Sequence, residues 1–178
     1  MINIVLEDDP ILKEISSEYD FENHPDFLKD DTSFGLSEFI DSMMVAMKIN
    51  HGIGLSAPQL GYSLRLFVMD ILNEEFTCIN PEILSESDGK IIDQEGCLSF
   101  PSLTLKVKRS EEVYVSYQNT DGKSLKRWLT GLQARCFQHE LDHLNGITFD
   151  TQVGTLSLKM AKQKRRNKLK QLRRKNNG

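Results

Sequence analysis

The stretch His139-Glu140-Leu141-Asp142-His143 constrains this 178-residue chain more than any other. At roughly 3.6 residues per turn, positions 139 and 143 stack on one helix face about 6 Å apart, so both imidazoles can reach one ion. Glu140, about 100° around the axis, flanks that ion where a general base belongs. The pattern demands a helix, and it also demands something from outside the helix. Two imidazoles do not hold a catalytic metal alone; a hydrolytic site of this kind needs a third protein ligand and an open position for water.

Downstream sources of that ligand are closed. A thermolysin-like arrangement takes a Glu beyond the helix, but no Glu follows Glu140, and the later acids are Asp142 and Asp150. The extended H-E-x-x-H-x-x-G-x-x-H pattern holds as far as Gly146 and then meets Phe149 where the last His belongs. The third ligand is therefore to be sought upstream, among His24, His51, the cysteines and the carboxylates. Cys97 stands out by its setting, Glu95-Gly96-Cys97-Leu98-Ser99-Phe100-Pro101. Gly96 admits the close approach of another backbone or a ligand, and Pro101 ends or edges a strand. Cys78, in a short apolar run, reads as a buried strand residue. Cys136 lies one turn before His139, but three ligands from one helix would spread over roughly 10 Å of axis, so it reads as the wall of a neighbouring pocket. His51, ahead of Gly52, reads as a partly exposed capping residue, and His24-Pro25 as a loop.

The rest of the chain suits one α+β domain. The apolar positions Leu36, Phe39, Ile40, Met43, Met44 and Met47 follow i, i+3, i+4, i+7 spacing and predict an amphipathic helix ending near His51-Gly52, with its methionines in the core. Residues 64–69 and 76–79 read as strands, and residues 113–117 and 124–129 as a hairpin around Asn119-Thr120-Asp121-Gly122. Thr130 with Gln133 predicts a capping box for the metal helix, which Gly146 stops. Strands clustered between two helices predict mostly antiparallel sheets around a central metal-binding helix.

Charge divides the chain in two. Residues 151–178 carry ten Lys and Arg and no acid, leaving 12 basic against 26 acidic residues in 1–150. We expect a single catalytic domain over 1–150 and a basic C-terminal helix or tail over 151–178. That tail reads either as a solvated helix packed through Leu158, Ala161, Leu169 and Leu172, or as a contact for RNA or another anionic surface. No apolar run is long enough to span a membrane, the N-terminus lacks the pattern of a secretory signal, and three cysteines suggest no disulfide framework. A cytoplasmic place of work is expected.

Three motifs in order, Gly52-Ile53-Gly54-Leu55-Ser56-Ala57-Pro58-Gln59, Glu95-Gly96-Cys97-Leu98-Ser99 and Gln138-His139-Glu140-Leu141-Asp142-His143, resemble the signature motifs of the peptide deformylases. The resemblance runs nearly end to end and takes in Ile79-Asn80-Pro81 as a strand end before the second motif. It implies removal of the N-formyl group from the formyl-methionine of nascent chains, with release of formate. It further implies one divalent ion held by Cys97, His139 and His143. A thiolate ligand suits ferrous iron, zinc, nickel or cobalt better than magnesium, with iron expected as the native ion. Glu140 would move the protons, while the Gln59 amide and the Leu98 N–H would stabilise the oxyanion. Ile53, Gly54, Gly96, Leu132 and Cys136, with the His139 ring, are the candidates for contact with the peptide and its methionine side chain. Glu95 is expected to hold a ligand histidine or anchor its loop, and Asp142 to be structural. Arg135 stands where some bacterial deformylases carry an apolar residue, which leaves the charge of the pocket rim open.

The expected partners are a formyl-methionyl peptide and, as long-tailed bacterial deformylases imply, the ribosome; neither a membrane nor a specific DNA sequence is expected. Two other classes fit the sequence less well. A metallo-amidase acting on another N-acyl group is disfavoured by the complete second motif. A non-enzymatic ribosome- or RNA-binding relative is disfavoured because Gln59, Cys97, Glu140 and both histidines are all present.

Overall fold

In the computed structural model, which describes residues 3–23, 27–29 and 32–176, the architecture is α+β. A short hairpin of β1 (Phe27–Lys29) and β2 (Thr32–Phe34) precedes helix α1 (Leu36–Ile49). An antiparallel sheet then assembles in the order β3-β4-β5-β8-β9 from β3 (Gly54–Ser56), β4 (Leu66–Ile71), β5 (Glu74–Glu86), β8 (Glu112–Gln118) and β9 (Ser124–Thr130). Strands β6 (Lys90–Gly96) and β7 (Thr104–Ser110) form a separate antiparallel ribbon. Helix α2 (Gly131–Leu144) carries the histidine motif, and α3 (Thr155–Asn176) is the basic helix. None of the helices among the described residues is long and apolar enough to cross a membrane. His24, read as part of a loop, lies outside the described residues.

Helix α1 forms where its apolar spacing predicts it. Phe39, Ile40, Met43 and Met47 are buried against Leu55, Leu60, Leu66, Val68 and Ile79, while Leu36 and Met44 pack at the edge. Glu38 accepts from the Gly35 N–H, which caps the first turn. Helix α2 turns Ala134, Phe137, Leu141 and Leu144 onto the large sheet, against Phe67, Met69, Val113, Val115 and Leu129. Between these two cores, β3 holds the first motif beside α2.

Two local expectations are corrected. The Ile79-Asn80-Pro81 segment does not end a strand: β5 runs on to Glu86 through shifts of register after Ile79 and after Ile83. A bulge suits this sequence because Pro81 has no N–H for the ladder and Asn80 adopts φ 49°. The Asn80 side chain bonds Tyr19 at both its N–H (2.8 Å) and its carbonyl (2.9 Å), pinning the N-terminal segment to the sheet. The capping box at α2 does not form either. Thr130 occupies the N-cap without a side-chain bond, and Gln133 instead donates to Glu74 at 2.8 Å. The far end follows expectation: the helix stops at Asn145-Gly146, with Gly146 at φ 69° and its α-carbon so close to Lys13 that a Cβ would lie 2.6 Å from the Lys13 carbonyl oxygen.

Helix α3 packs through Leu158 and Ala161 against a third apolar cluster that includes Leu12, Phe100 and Phe149. Arg165 pairs with Glu7 at 2.6 Å. Leu169, expected to pack, is exposed, and the Leu172 side chain lies outside the described set.

Candidate active site

Helix α2 presents three faces, and the site forms where two of them meet. The apolar face is built into the core; a polar face of Arg135, Gln138, His139 and Asp142 turns to the β6–β7 ribbon; His139, Cys136, Glu140 and His143 lie between them. The ribbon brings Cys97, directly after β6, to this third face. Its Sγ is 3.2 Å from Nε2 of His143. One ligand atom each from Cys97, His139 and His143 lies within 4.8 Å of the others.

The protonation chemistry of this cluster suits a cation. Burial drives His143 well below the usual histidine range, so its ring is neutral. Burial also works against a charge on His139, but the Cys97 sulfur and the Glu95 carboxylate hydrogen-bond to the ring and push it up to about 10. Positive charge is thus favoured on the inner side of His139, and a divalent cation meets the same demand while using the lone pair a proton would take. Glu95 Oε2 lies 3.0 Å from His139 Nδ1, which leaves Nε2 free to be a ligand. A thiol and two imidazoles that converge, one imidazole oriented by a carboxylate, fit zinc-like or ferrous ions and not magnesium or calcium.

Glu140 is 4% exposed, its Oε2 has no hydrogen-bond partner among the described residues, and burial pushes it up to about 7. Gly54 makes this approach possible. A Cβ there would lie 2.5 Å from Glu140 Oε1 and 2.6 Å from Cys136 Sγ, so the first motif needs glycine for space. Gln59 completes the wall. The Ser56 N–H (2.9 Å) and Ser56 hydroxyl (3.0 Å) both donate to Gln59 Oε1. Because a backbone N–H can only donate, the amide must turn its Nε2 the other way, toward Cys97 Sγ (3.4 Å) and Ser99 Oγ (3.2 Å).

A cavity of about 570 Å³ opens over these groups, lined among others by Ile53, Gly54, Gln59, Gly96, Cys97, Leu98, Leu132, Cys136, His139 and Glu140. His143 is not among its lining residues and lies behind Cys97, whose Sγ is 3.2 Å from His143 Nε2. Ile53 and Leu132 are half exposed at its mouth, and Cys136 is buried in its wall with Sγ 3.6 Å from the Ile53 carbonyl. His51 is an exposed residue at φ 57° on the same rim. Cys78 is fully buried in β5, away from this space.

Residues 1–158 match the polypeptide deformylase family. The chain belongs to that family. It is 46% identical over 139 residues to the peptide deformylase of Chromobacterium violaceum, across 76% of this chain and 83% of that one. A solved peptide deformylase from Legionella pneumophila is 35% identical, with a TM-score of 0.82 over 97% of this chain and 98% of its own. A peptide deformylase from Synechococcus elongatus, solved in complex with actinonin, is also 35% identical, with a TM-score of 0.81 over 92% of this chain and 85% of that one.

Four residues of this deformylase site escaped the sequence. Arg109 forms a fork on Glu95, with Nε to Oε1 and Nη2 to Oε2 at 3.0 Å each, and reaches Asp142 at 2.5 Å. The available signal was its place in the inward series Leu105, Val107, Arg109: a charge on a buried strand face needs partners. Ser56 and Ser99, present in the first and second motifs without an assigned role, orient Gln59 through their hydroxyls. Gln138, read only as part of a motif, bonds both the N–H and the carbonyl of Ser110 at 3.0 Å. Arg135, whose charge at the rim was open, turns its guanidinium onto Glu95 at 2.7 Å and so does not present a free cation to the pocket.

Proposed function

We propose that this chain hydrolyses the N-formyl group from the formyl-methionine of nascent polypeptides, releasing formate, with one divalent metal ion held by Cys97, His139 and His143. The observation that supports it best is the convergence of those three ligand atoms at a cavity that Cys97, His139, Glu140 and Gln59 line. We take ferrous iron as the native ion, with zinc, nickel or cobalt able to use the same ligands. When bound, the ion supplies Lewis acidity that makes water acidic near neutral pH and polarises a carbonyl.

The residues divide the remaining work. Glu140, poised near neutrality by burial, takes the proton of the attacking water and returns it to the departing amine. Gln59 Nε2, held by Ser56, and the Leu98 N–H face the formyl oxygen as charge builds on it; loss of one such donor costs about 3 kcal/mol in the transition state. Among the described residues β3 and β6 are edge strands of their sheets, and Ile53, Gly54 and Gly96 line the cavity, so an extended peptide can add a strand there beside Ile53 and Gly96. The methionine side chain is received by Ile53, Leu132, Cys136 and the His139 ring. Work in the cytosol is part of this proposal, as is contact of the basic α3 with ribosomal RNA.

Iron-loaded protein kept anaerobic should release formate from formyl-Met-Ala-Ser, and turnover no greater than in metal-free controls would refute the activity. Glu140→Ala should retain the metal and lose about 10²-fold or more of the turnover. If the metal went as well, Glu140 would be a ligand and not the base. Metal content unaltered in Cys97→Ser would move the third ligand elsewhere.

A further inference from the structure

The ribbon β6–β7 carries Cys97, yet it belongs to a different sheet from the one on which α2 is packed. Packing of α2 on the large sheet therefore does not by itself fix the distance to the two histidines from Cys97, which packs in the third apolar cluster and bonds Gln59. What spans that gap is the polar face of α2. Arg135 donates through Nη1 to the Val107 carbonyl of β7 (3.1 Å) and through Nη2 to the Ile91 carbonyl of β6 (2.8 Å). One planar group thus grips both strands of the ribbon, and its Nη1 also holds Glu95 Oε1. One turn later, Gln138 pairs with the N–H and the carbonyl of Ser110 as an added strand would, while its Nε2 is tied back to the Ala134 carbonyl at 2.9 Å.

These contacts are buried and directional. Arg135 and Gln138 are 9% and 7% exposed, and sliding the ribbon by one residue along α2 would leave their donors and several carbonyls without partners. An apolar interface of the same area would tolerate such a slip at far less cost. Charge is matched as well: the guanidinium groups of Arg109 and Arg135 face the carboxylates of Glu95 and Asp142.

We propose that Arg135 and Gln138 are positioning residues that lock the register of the β6–β7 ribbon on α2 and thereby set the place of Cys97 opposite His139 and His143. This rests on the proposed metal site. The lock acts on a thiolate whose displacement by a fraction of an ångström weakens the bond it makes, so it should show in the ion and not only in the stability of the fold.

The test uses full-length cobalt-loaded protein, in which the thiolate–cobalt charge-transfer band reports Cys97. Arg135→Met and Gln138→Leu, which keep size and lose the polar heads, are expected to bind cobalt about 10–100-fold more weakly by chelator competition, with a weaker or shifted band. Gln133→Ala, on the exposed side of the same helix, should leave affinity and band as in the wild type. Arg135→Lys, which retains the charge but not the fork, should fall between wild type and Arg135→Met; if Arg135→Met does not fold, this variant carries the comparison. A lower melting temperature with unchanged cobalt affinity and an unchanged band would overturn the lock, since it would show a merely structural contact. If wild-type protein gave no thiolate band, or if Cys97→Ala kept it, the metal site itself would be refuted, and the lock with it.

Discussion

Glu95 and His139 are joined by a bond of 3.0 Å between Oε2 and Nδ1, and the same carboxylate is held from its other side by Arg109 and Arg135. The carboxylate thus connects the β6–β7 ribbon to the ring that faces the proposed metal. Burial alone would raise its pKa, yet the bonds from His139 and Arg109 hold it down to about 2. A carboxyl depressed in the folded state stabilises the fold above its unfolded pKa, near 4.5, and that contribution disappears as pH falls toward 2. Wild-type protein should therefore lose more stability than Glu95→Gln between pH 5 and about 2, as read from urea midpoints. Parallel curves for the two proteins would show that Glu95 does not carry this dependence.

At neutral pH, Glu95→Ala should be far more damaging than Glu95→Gln. Removing Glu95 leaves Arg135 without a carboxylate and Arg109 with Asp142 alone, and breaking a buried ionic group in this way costs about 3–5 kcal/mol in comparable cases. The glutamine keeps an acceptor for His139 and should lose metal affinity about tenfold with a smaller drop in melting temperature. Metal analysis alongside thermal denaturation separates the two effects.

Gly54→Ala tests the close passage of β3 over α2 and the proposed base, Glu140. The added methyl would lie 2.5 Å from Glu140 Oε1 and 2.6 Å from Cys136 Sγ, so Glu140 or β3 must move. Overpacking of this kind costs about 1–3 kcal/mol, but a displaced base can lose about 10²-fold in rate. A folded variant with retained metal and a sharp fall in kcat is expected; unchanged kcat would show that Glu140 has room to adjust without consequence.

The Ser56–Gln59 pair predicts a split between binding and catalysis. If Gln59 has the proposed oxyanion role, Gln59→Leu should lower kcat by about 10²–10³ with little change in KM, because such a donor acts on charge that develops only in the transition state. Ser56→Ala should do less, since the Ser56 N–H at 2.9 Å still orients Gln59 Oε1 after the hydroxyl is gone. Equal losses in the two variants would mean that the hydroxyl has a role beyond orientation.

Local chemistry was legible in the chain and pairing across long separations was not. The spacing of Phe39, Ile40, Met43 and Met47 carries α1, and Asn119 to Gly122 carries the β8–β9 turn, because each signal lies within a few residues. Ribbon β6–β7 left little trace. Ile91 and Ile92 are both exposed, so no alternation marks β6, and its buried contact, Glu95, is fixed by partners 14 and 40 residues away. The capping box at α2 failed for the same reason: Gln133 found Glu74, 59 residues upstream, in place of its own helix end. The cysteine, histidine and glutamate of the candidate site stood out as residue types; the arginines and serines that orient them became visible only when the strands were paired.

Removal of the residues after Asn167 tests what the basic helix is for. Among the described residues, the contacts that tie α3 to the body include Leu158 and Ala161 in the third cluster and Arg165 with Glu7 at 2.6 Å, all before this point. The segment removed carries Lys168, Lys170, Arg173, Arg174 and Lys175 and no acid. Formate release from a short formyl peptide should therefore stay within about twofold of the full chain, because the side chains described beyond Asn167, those of residues 168–171, are exposed, and exposed positions change stability by about 0.5 kcal/mol or less. Co-sedimentation with ribosomes at low salt should fall, and for the full chain it should weaken steeply as salt rises, since each phosphate contact releases a counterion. Loss of turnover in step with loss of sedimentation would instead make the end of α3 a structural part of the enzyme.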